Sequence, residues 1–153
     1  RLTNQDSLSL GALALDEDTH FAPGAHAVQA PGCILIVDGD PHITHQLRHA
    51  LKLGAEVDWA VEVATDGHLA LLRPHNTTPA IALIDTVNLG LDGVEVYHRL
   101  RALPQAHMST IIFITSANAL ELSARGVEAG ILLRKPFKIA HVTSLINALI
   151  NAQ

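Results

Sequence analysis

The chain has 153 residues, of which 48% are hydrophobic and 16% charged, and its net charge is −5. This length supports one hydrophobic core and is too short for two ordinary domains. The acidic balance argues against direct binding to nucleic acid. One cysteine excludes a disulfide framework and predicts a reducing, cytoplasmic location. No apolar run approaches the roughly 20 residues that cross a bilayer, so we expect no membrane partner.

The first part of the chain differs in composition from the rest. It ends in two Pro-Gly pairs, Pro23-Gly24 and Pro31-Gly32, which are typical of a linker. We therefore predict a flexible N-terminal extension or linker over residues 1–31 and one domain over residues 32–153. Leucines between positions 8 and 15 allow one short helix in the extension, although Gly11 disfavours it.

From Cys33 onward, short apolar runs alternate with amphipathic patterns. Five runs have the length and aliphatic composition of buried strands: 34–37, 60–64, 81–85, 111–114 and 131–133. The patterns after them predict helices over 41–54, around 68–72, from about 94 to 103, over 119–129 and from 139 onward. Such alternation indicates right-handed crossovers between parallel strands. The predicted fold class is α/β, a five-stranded parallel sheet with helices on both faces in flavodoxin-like order.

Polar side chains follow the predicted strands. Asp38 follows the first strand, Asp85 ends the third, Thr115 follows the fourth, and Lys135 lies in the turn after the fifth. Parallel strands place these ends at one edge of the sheet, so we expect the four side chains to converge. Two carboxylates held close together repel each other, which favours Mg²⁺ between them. A carboxylate, Mg²⁺, a hydroxyl and a lysine are the groups needed to receive a phosphoryl group.

The same residues lie in four motifs that carry a family resemblance. In chain order these are ILIVDGDP at 34–41, ID at 84–85 with GLDG at 90–93, ITS at 114–116 and KPF at 135–137. Together they resemble the receiver domain of bacterial response regulators. The resemblance covers residues 33 to about 150 and implies the receiver form of the flavodoxin-like fold.

The resemblance implies a phosphoacceptor in two-component signalling. Asp85 would take a phosphoryl group from the phosphohistidine of a sensor histidine kinase or a phosphotransfer protein, assisted by Thr115 and Lys135. Asp38, Asp85 and the backbone carbonyl of Val87 would hold Mg²⁺, and a cis peptide would precede Pro136. A conformational change would pass the signal to a downstream protein or effector domain through the face of the fourth and fifth helices. Catalysis would be limited to the domain's own phosphorylation and dephosphorylation.

Four features depart from the family pattern. Gly39 replaces a second acidic residue, which predicts weaker Mg²⁺ binding, and Asp40 is expected to cap the following helix instead. Leu89 replaces a loop proline. The connection from the fourth helix to Lys135 is about two residues short. Leu132 replaces an aromatic residue that normally moves with the hydroxyl at position 115, so we expect an altered output switch.

Two rival functions remain open at this stage. The first is a degenerate pseudo-receiver that binds proteins without being phosphorylated, which Gly39 and Leu132 favour. The second is an unrelated enzyme or nucleotide binder of the same fold, which the lack of a glycine-rich loop after the first strand disfavours. The chain starts with Arg1 and fits either a stand-alone regulator or part of a longer protein. The last helix has no charged residue after Lys138, which permits a homodimer contact.

Histidines and a cysteine outside these motifs have simpler interpretations. His42, His45 and His49 lie opposite the apolar face of the first predicted helix, so we expect them to face solvent. Cys33 begins a buried strand and is interpreted as a small core residue.

Overall fold

The computed structural model describes residues 19–21, 32–54, 59–72, 79–87, 92–103, 109–128 and 130–151. The strands are β1 (Thr19–Phe21), β2 (Cys33–Val37), β3 (Ala60–Ala64), β4 (Ile81–Asp85), β5 (Thr110–Thr115) and β6 (Ile131–Arg134). The helices are α1 (Pro41–Gly54), α2 (Gly67–Leu71), α3 (Gly93–Arg101), α4 (Ala119–Ala124) and α5 (Ile139–Asn151).

The strands form one sheet in the order β1-β6-β5-β4-β2-β3. The five strands from β2 to β6 are parallel, which confirms the predicted flavodoxin-like sheet. Every residue of β4 and β5 is buried, whereas the edge strand β3 alternates between buried and more exposed positions. Continuous aliphatic runs therefore lie at the centre of the sheet, where helices cover both faces.

Strand β1 was not predicted. It pairs antiparallel with β6, with Thr19 opposite Leu133 and Phe21 opposite Ile131. Three residues are too few to show an alternating pattern, and pairing to an open strand edge needs main-chain groups rather than particular side chains. The helix considered for residues 8–15 lies outside the described residues, and the domain boundary at residue 32 stays a prediction.

The helices cover the sheet in two groups. One apolar cluster joins residues of α1 and α5 to one face of the sheet, and a second joins α2, α3 and α4 to the other face. The prediction of helices on both faces is confirmed. None of the helices in the described ranges combines the length and the apolar composition that a membrane span requires.

Two helix ends differ from the predicted ones. The helix predicted over 119–129 ends at Ala124, because Gly126 adopts a φ of 85° and its N–H bonds to the Ser123 carbonyl. A glycine in this left-handed conformation commonly ends a helix, and Gly126 therefore ends α4 before the predicted position 129. Leu103, predicted on the third helix, lies two residues beyond its end at Arg101.

Helix α1 begins as predicted. Pro41 is its first residue, and Asp40 Oδ1 accepts a hydrogen bond of 2.9 Å from His42 N. His42, His45 and His49 are exposed, which confirms their predicted orientation toward solvent.

Candidate functional site

A cleft of about 810 Å³ lies at the carboxyl ends of the parallel strands. Strand register explains which side chains reach the cleft. Val37 pairs with Ile84, so the residues that follow them, Asp38 and Asp85, lie side by side at this edge of the sheet. Lys135 comes from the turn after β6 and also lines the cleft. The remaining lining residues are Gly39, Asp40, Ile43, Gln46, Val87, Ser116, Pro136, Phe137 and Ile139.

The carboxylate of Asp85 is only 6% exposed, and two hydrogen bonds fix its orientation. Its Oδ2 accepts a hydrogen bond of 2.8 Å from Lys135 Nζ, and its Oδ1 accepts one of 2.8 Å from Val87 N. The lysine is half-buried, so solvent screens this ion pair less than it screens a surface pair. The sequence-based prediction that Asp85 and Lys135 meet is confirmed by this contact.

The second carboxylate, Asp38, is also only 6% exposed. Burial raises the pKa of Asp38 above its ordinary value of 3.8, and the neighbouring Asp85 adds to the increase. The Asp40 N–H, which donates a bond of 2.9 Å to Asp38 Oδ1, and the Lys135 charge act in the opposite direction. Two carboxylates are thus held close together in a largely buried position, an arrangement that a cation between them would stabilise.

The carboxylate oxygens of Asp38 and Asp85 suit Mg²⁺ chemically, but they are too few to fill its coordination shell. Asp38 and Asp85 provide the hard oxygen ligands that Mg²⁺ prefers. No cluster of three or more histidine, cysteine, aspartate or glutamate side chains suited to metal binding occurs in the described ranges. Gly39 lines the cleft without a side chain, and Asp40 caps α1. A cation here would therefore need main-chain and water ligands, and the Val87 carbonyl stays a predicted one.

Thr115 does not join the other three side chains at the cleft. It is 1% exposed, and the cleft is lined instead by Ser116, the residue that follows β5. The Thr115 hydroxyl oxygen accepts a bond of 2.8 Å from the Thr86 hydroxyl and one of 2.9 Å from Ala117 N. The backbone of Thr115 lies at the predicted edge, where its carbonyl accepts a bond of 2.9 Å from Lys135 N, while its hydroxyl is held by Thr86 and Ala117 and does not line the cleft.

Two neighbours of predicted site residues were missed from the sequence. Thr86 directly follows Asp85, and Ser116 directly follows Thr115. A hydroxyl residue next to a strand-end site residue was the available signal. That signal is not sufficient by itself, because the direction in which such a side chain points depends on strand register.

The start of α3 packs directly on the end of β4. A Cβ atom at Gly93 would overlap the carbonyl oxygen of Asp85, so a glycine is required by this close approach. Asp92 caps this helix, and its Oδ1 accepts a bond of 2.7 Å from Val94 N. Its Oδ2 also binds Arg125 Nη2 at 2.8 Å, a contact that the sequence did not predict.

Two further features bear on the family resemblance. The Lys135–Pro136 peptide bond is cis, as the resemblance implied. Leu132 is buried in the apolar cluster that also contains Leu122 and Phe113, so the position that departs from the family pattern is filled by an ordinary core residue.

Comparisons with known proteins agree with this geometry. Residues 34–147 match the family model of the response regulator receiver domain. The chain is similar to the response regulator MprA of Mycobacterium sp. (strain KMS), with 31% identity over 126 residues. It is also similar to the transcriptional regulatory protein TrcR of Mycobacterium tuberculosis, with 26% identity over 123 residues. The matches cover 78% and 79% of this chain, and it spans about half the length of these relatives, 51% and 46%.

Solved structures share the fold. A CheY-like receiver domain protein from Methanospirillum hungatei JF-1 superposes with a TM-score of 0.66 at 23% identity, over 78% of this chain and 94% of that one. The receiver domain of the Francisella response regulator 1452 gives a TM-score of 0.63 at 24% identity, over 78% and 96% of the two chains.

Proposed function

The chain belongs to the receiver domain family of response regulators, and from this premise we propose that Asp85 accepts a phosphoryl group from a phosphohistidine. The donor would be a sensor histidine kinase or a phosphotransfer protein. The observation that carries the proposal is the Asp85 carboxylate, buried yet lining an open cleft and held by Lys135 Nζ at 2.8 Å. A carboxylate fixed in this way can attack phosphorus without first reorganising its surroundings.

In the proposed reaction one oxygen of Asp85 forms a bond to phosphorus while the bond from phosphorus to the histidine nitrogen breaks. The imidazole leaves with the electron pair of that bond and takes a proton from solvent. Lys135 is already beside Oδ2 and supplies positive charge to the transferring oxygens. The Thr115 hydroxyl would bond a phosphoryl oxygen once the group is in place.

Asp38, Asp85 and the Val87 carbonyl are the proposed ligands of Mg²⁺. When bound, Mg²⁺ would offset the negative charge of the carboxylates and of the incoming phosphoryl group. Support comes from the raised pKa of Asp38, caused by burial and by Asp85, since such a pair gains from a cation between its members. Gly39 leaves the set one carboxylate short, so we propose weak binding.

The partners are proposed from the family. They are the phosphate donor and a downstream protein or effector domain, reached through the face of α4 and α5. A homodimer through α5 is compatible with the absence of charged residues after Lys138 in that helix. A cytoplasmic location is supported by the single cysteine.

The test is incubation of the protein with a small acyl phosphate and Mg²⁺, with the intact mass followed over time. We expect one added phosphoryl group, lost in Asp85→Asn and retained in Asp92→Asn, a matched change of a more exposed aspartate at the helix cap. Absence of the addition at high Mg²⁺ would favour a pseudo-receiver that binds proteins without phosphorylation. Addition that persists in Asp85→Asn would place the acceptor at another residue.

A further inference from the structure

The hydroxyl groups of Thr86 and Thr115 bind each other in the interior. Their oxygens are 2.8 Å apart, although the residues are 29 positions apart in the chain. Thr86 is 7% exposed and Thr115 is 1% exposed, so water has little access to either group. Thr86 reaches this position because its N–H bonds to the Ile114 carbonyl at 3.2 Å, which continues the pairing of β4 with β5 one residue beyond Asp85.

Two hydrogen bonds hold the Thr115 oxygen in this arrangement. A hydroxyl oxygen has two lone pairs, and here one receives the Thr86 hydroxyl and the other the Ala117 N–H. The cleft at Asp85 is lined by Ser116 and not by Thr115. To donate its O–H to a phosphoryl oxygen on Asp85, the Thr115 side chain must turn toward the cleft and so away from the Thr86 hydroxyl that now holds it.

Leaving Thr86 is unfavourable for a physical reason. A buried hydroxyl without a hydrogen-bond partner raises the free energy of the protein, because neither a protein group nor water replaces the lost bond. We propose that Thr86 is a positioning residue that holds the Thr115 hydroxyl away from Asp85 and thereby weakens the phosphorylated state. This inference rests on the proposed function, because it concerns the response of Thr115 to a group on Asp85.

Beryllofluoride, which binds carboxylates in the shape of a phosphoryl group, provides the test. Its affinity in the presence of Mg²⁺ is measured by calorimetry for the whole chain. Thr86→Val removes the hydroxyl while keeping the shape, so the Thr115 side chain leaves no unpaired group behind. We expect about tenfold tighter binding of beryllofluoride, since about 1.4 kcal/mol corresponds to one factor of ten. Thr86→Ser keeps the hydroxyl and should retain the original affinity.

The same substitution in a Thr115→Val background separates this role from general loosening of the fold. With no hydroxyl at position 115, Thr86→Val should leave the affinity unchanged. If Thr86→Val fails to fold, Thr86→Ala is measured in its place, with the same expected direction.

The outcomes distinguish the two proposals. Wild-type protein that does not bind beryllofluoride overturns the proposed phosphoacceptor function and the inference that rests on it. Wild-type binding with no tightening in the variants at position 86 overturns the role of Thr86 alone. Equal tightening with and without the Thr115 hydroxyl also overturns it, because the effect would then not pass through Thr115.

Discussion

Lys135 Nζ lies 2.8 Å from Asp85 Oδ2, although the two residues are 50 positions apart in the chain. The lysine brings one positive charge to a site with two buried carboxylates, those of Asp85 and Asp38. Its positive charge lies beside one oxygen of Asp85 and offsets part of the repulsion between the two carboxylates.

Replacing Lys135 should destabilise the fold, because the carboxylates of Asp38 and Asp85 then lie together without the positive charge of the lysine. We expect Lys135→Ala to lower the free energy of unfolding by about 1 kcal/mol at neutral pH, measured by urea denaturation without Mg²⁺. Lys138→Ala is the matched control, since Lys138 is exposed and does not line the cleft. Equal losses in the two variants would show that the contact with Asp85 contributes nothing to stability.

Removing the charge of Asp38 should have the opposite effect. Burial and then Asp85 raise the pKa of Asp38 in the folded state above 3.8, so folding disfavours its ionised form. This penalty is present above the raised folded pKa and disappears as the pH falls below the unfolded value. Asp38→Asn should therefore raise the free energy of unfolding at pH 7 by about 1 kcal/mol without Mg²⁺.

At about pH 3 the gain from Asp38→Asn should vanish, because the carboxyl group is then protonated in both states. Urea denaturation at the two pH values checks this dependence. A gain of the same size at both would show that packing, rather than charge, is responsible.

Gly39→Asp should tighten Mg²⁺ binding. Among the glycines that the structure describes, positive φ values occur at Gly126 and Gly130, so the backbone at Gly39 accepts an aspartate without strain from a left-handed conformation. The added carboxylate would face the cleft that Gly39 lines, and we expect about tenfold higher affinity in calorimetric titration. Asp40→Asn is the control, and a loss of affinity in that variant would mean that Asp40, rather than a missing residue, completes the ligand set.

Asp92 should stabilise the start of α3 in a pH-dependent manner. Burial raises its pKa, but bonds from Arg125 and Val94 N outweigh this and hold the pKa below 3.8. The stabilisation by its charge is therefore present above 3.8 and is lost as the pH falls through the lower folded value. We expect Asp92→Ala to cost about 1 kcal/mol of unfolding free energy at pH 7 and less below pH 3.

The variants Asp92→Asn and Arg125→Ala distinguish how much of the stabilisation by Asp92 comes from the helix cap and how much from the ion pair. Asparagine retains an oxygen for Val94 N, so Asp92→Asn should cost less than Asp92→Ala in thermal or urea denaturation. The ion pair is about half exposed, so Arg125→Ala should change stability only slightly. A large loss in Arg125→Ala would assign the main contribution to the ion pair instead of the cap.

The sequence determined the five parallel strands and the meeting of Asp38, Asp85 and Lys135. Aliphatic runs of strand length alternate with amphipathic helices, and parallel strands all present their carboxyl ends at one edge. Tertiary structure alone decided the contacts that depend on register and side-chain direction. Thr115 is the last residue of β5, and its hydroxyl is held by Thr86. Strand β1 adds to the sheet through main-chain pairing, which leaves no pattern in a sequence of three residues. Local patterns specify which elements form, whereas hydrogen bonds between residues far apart in the chain exist only once the strands are aligned.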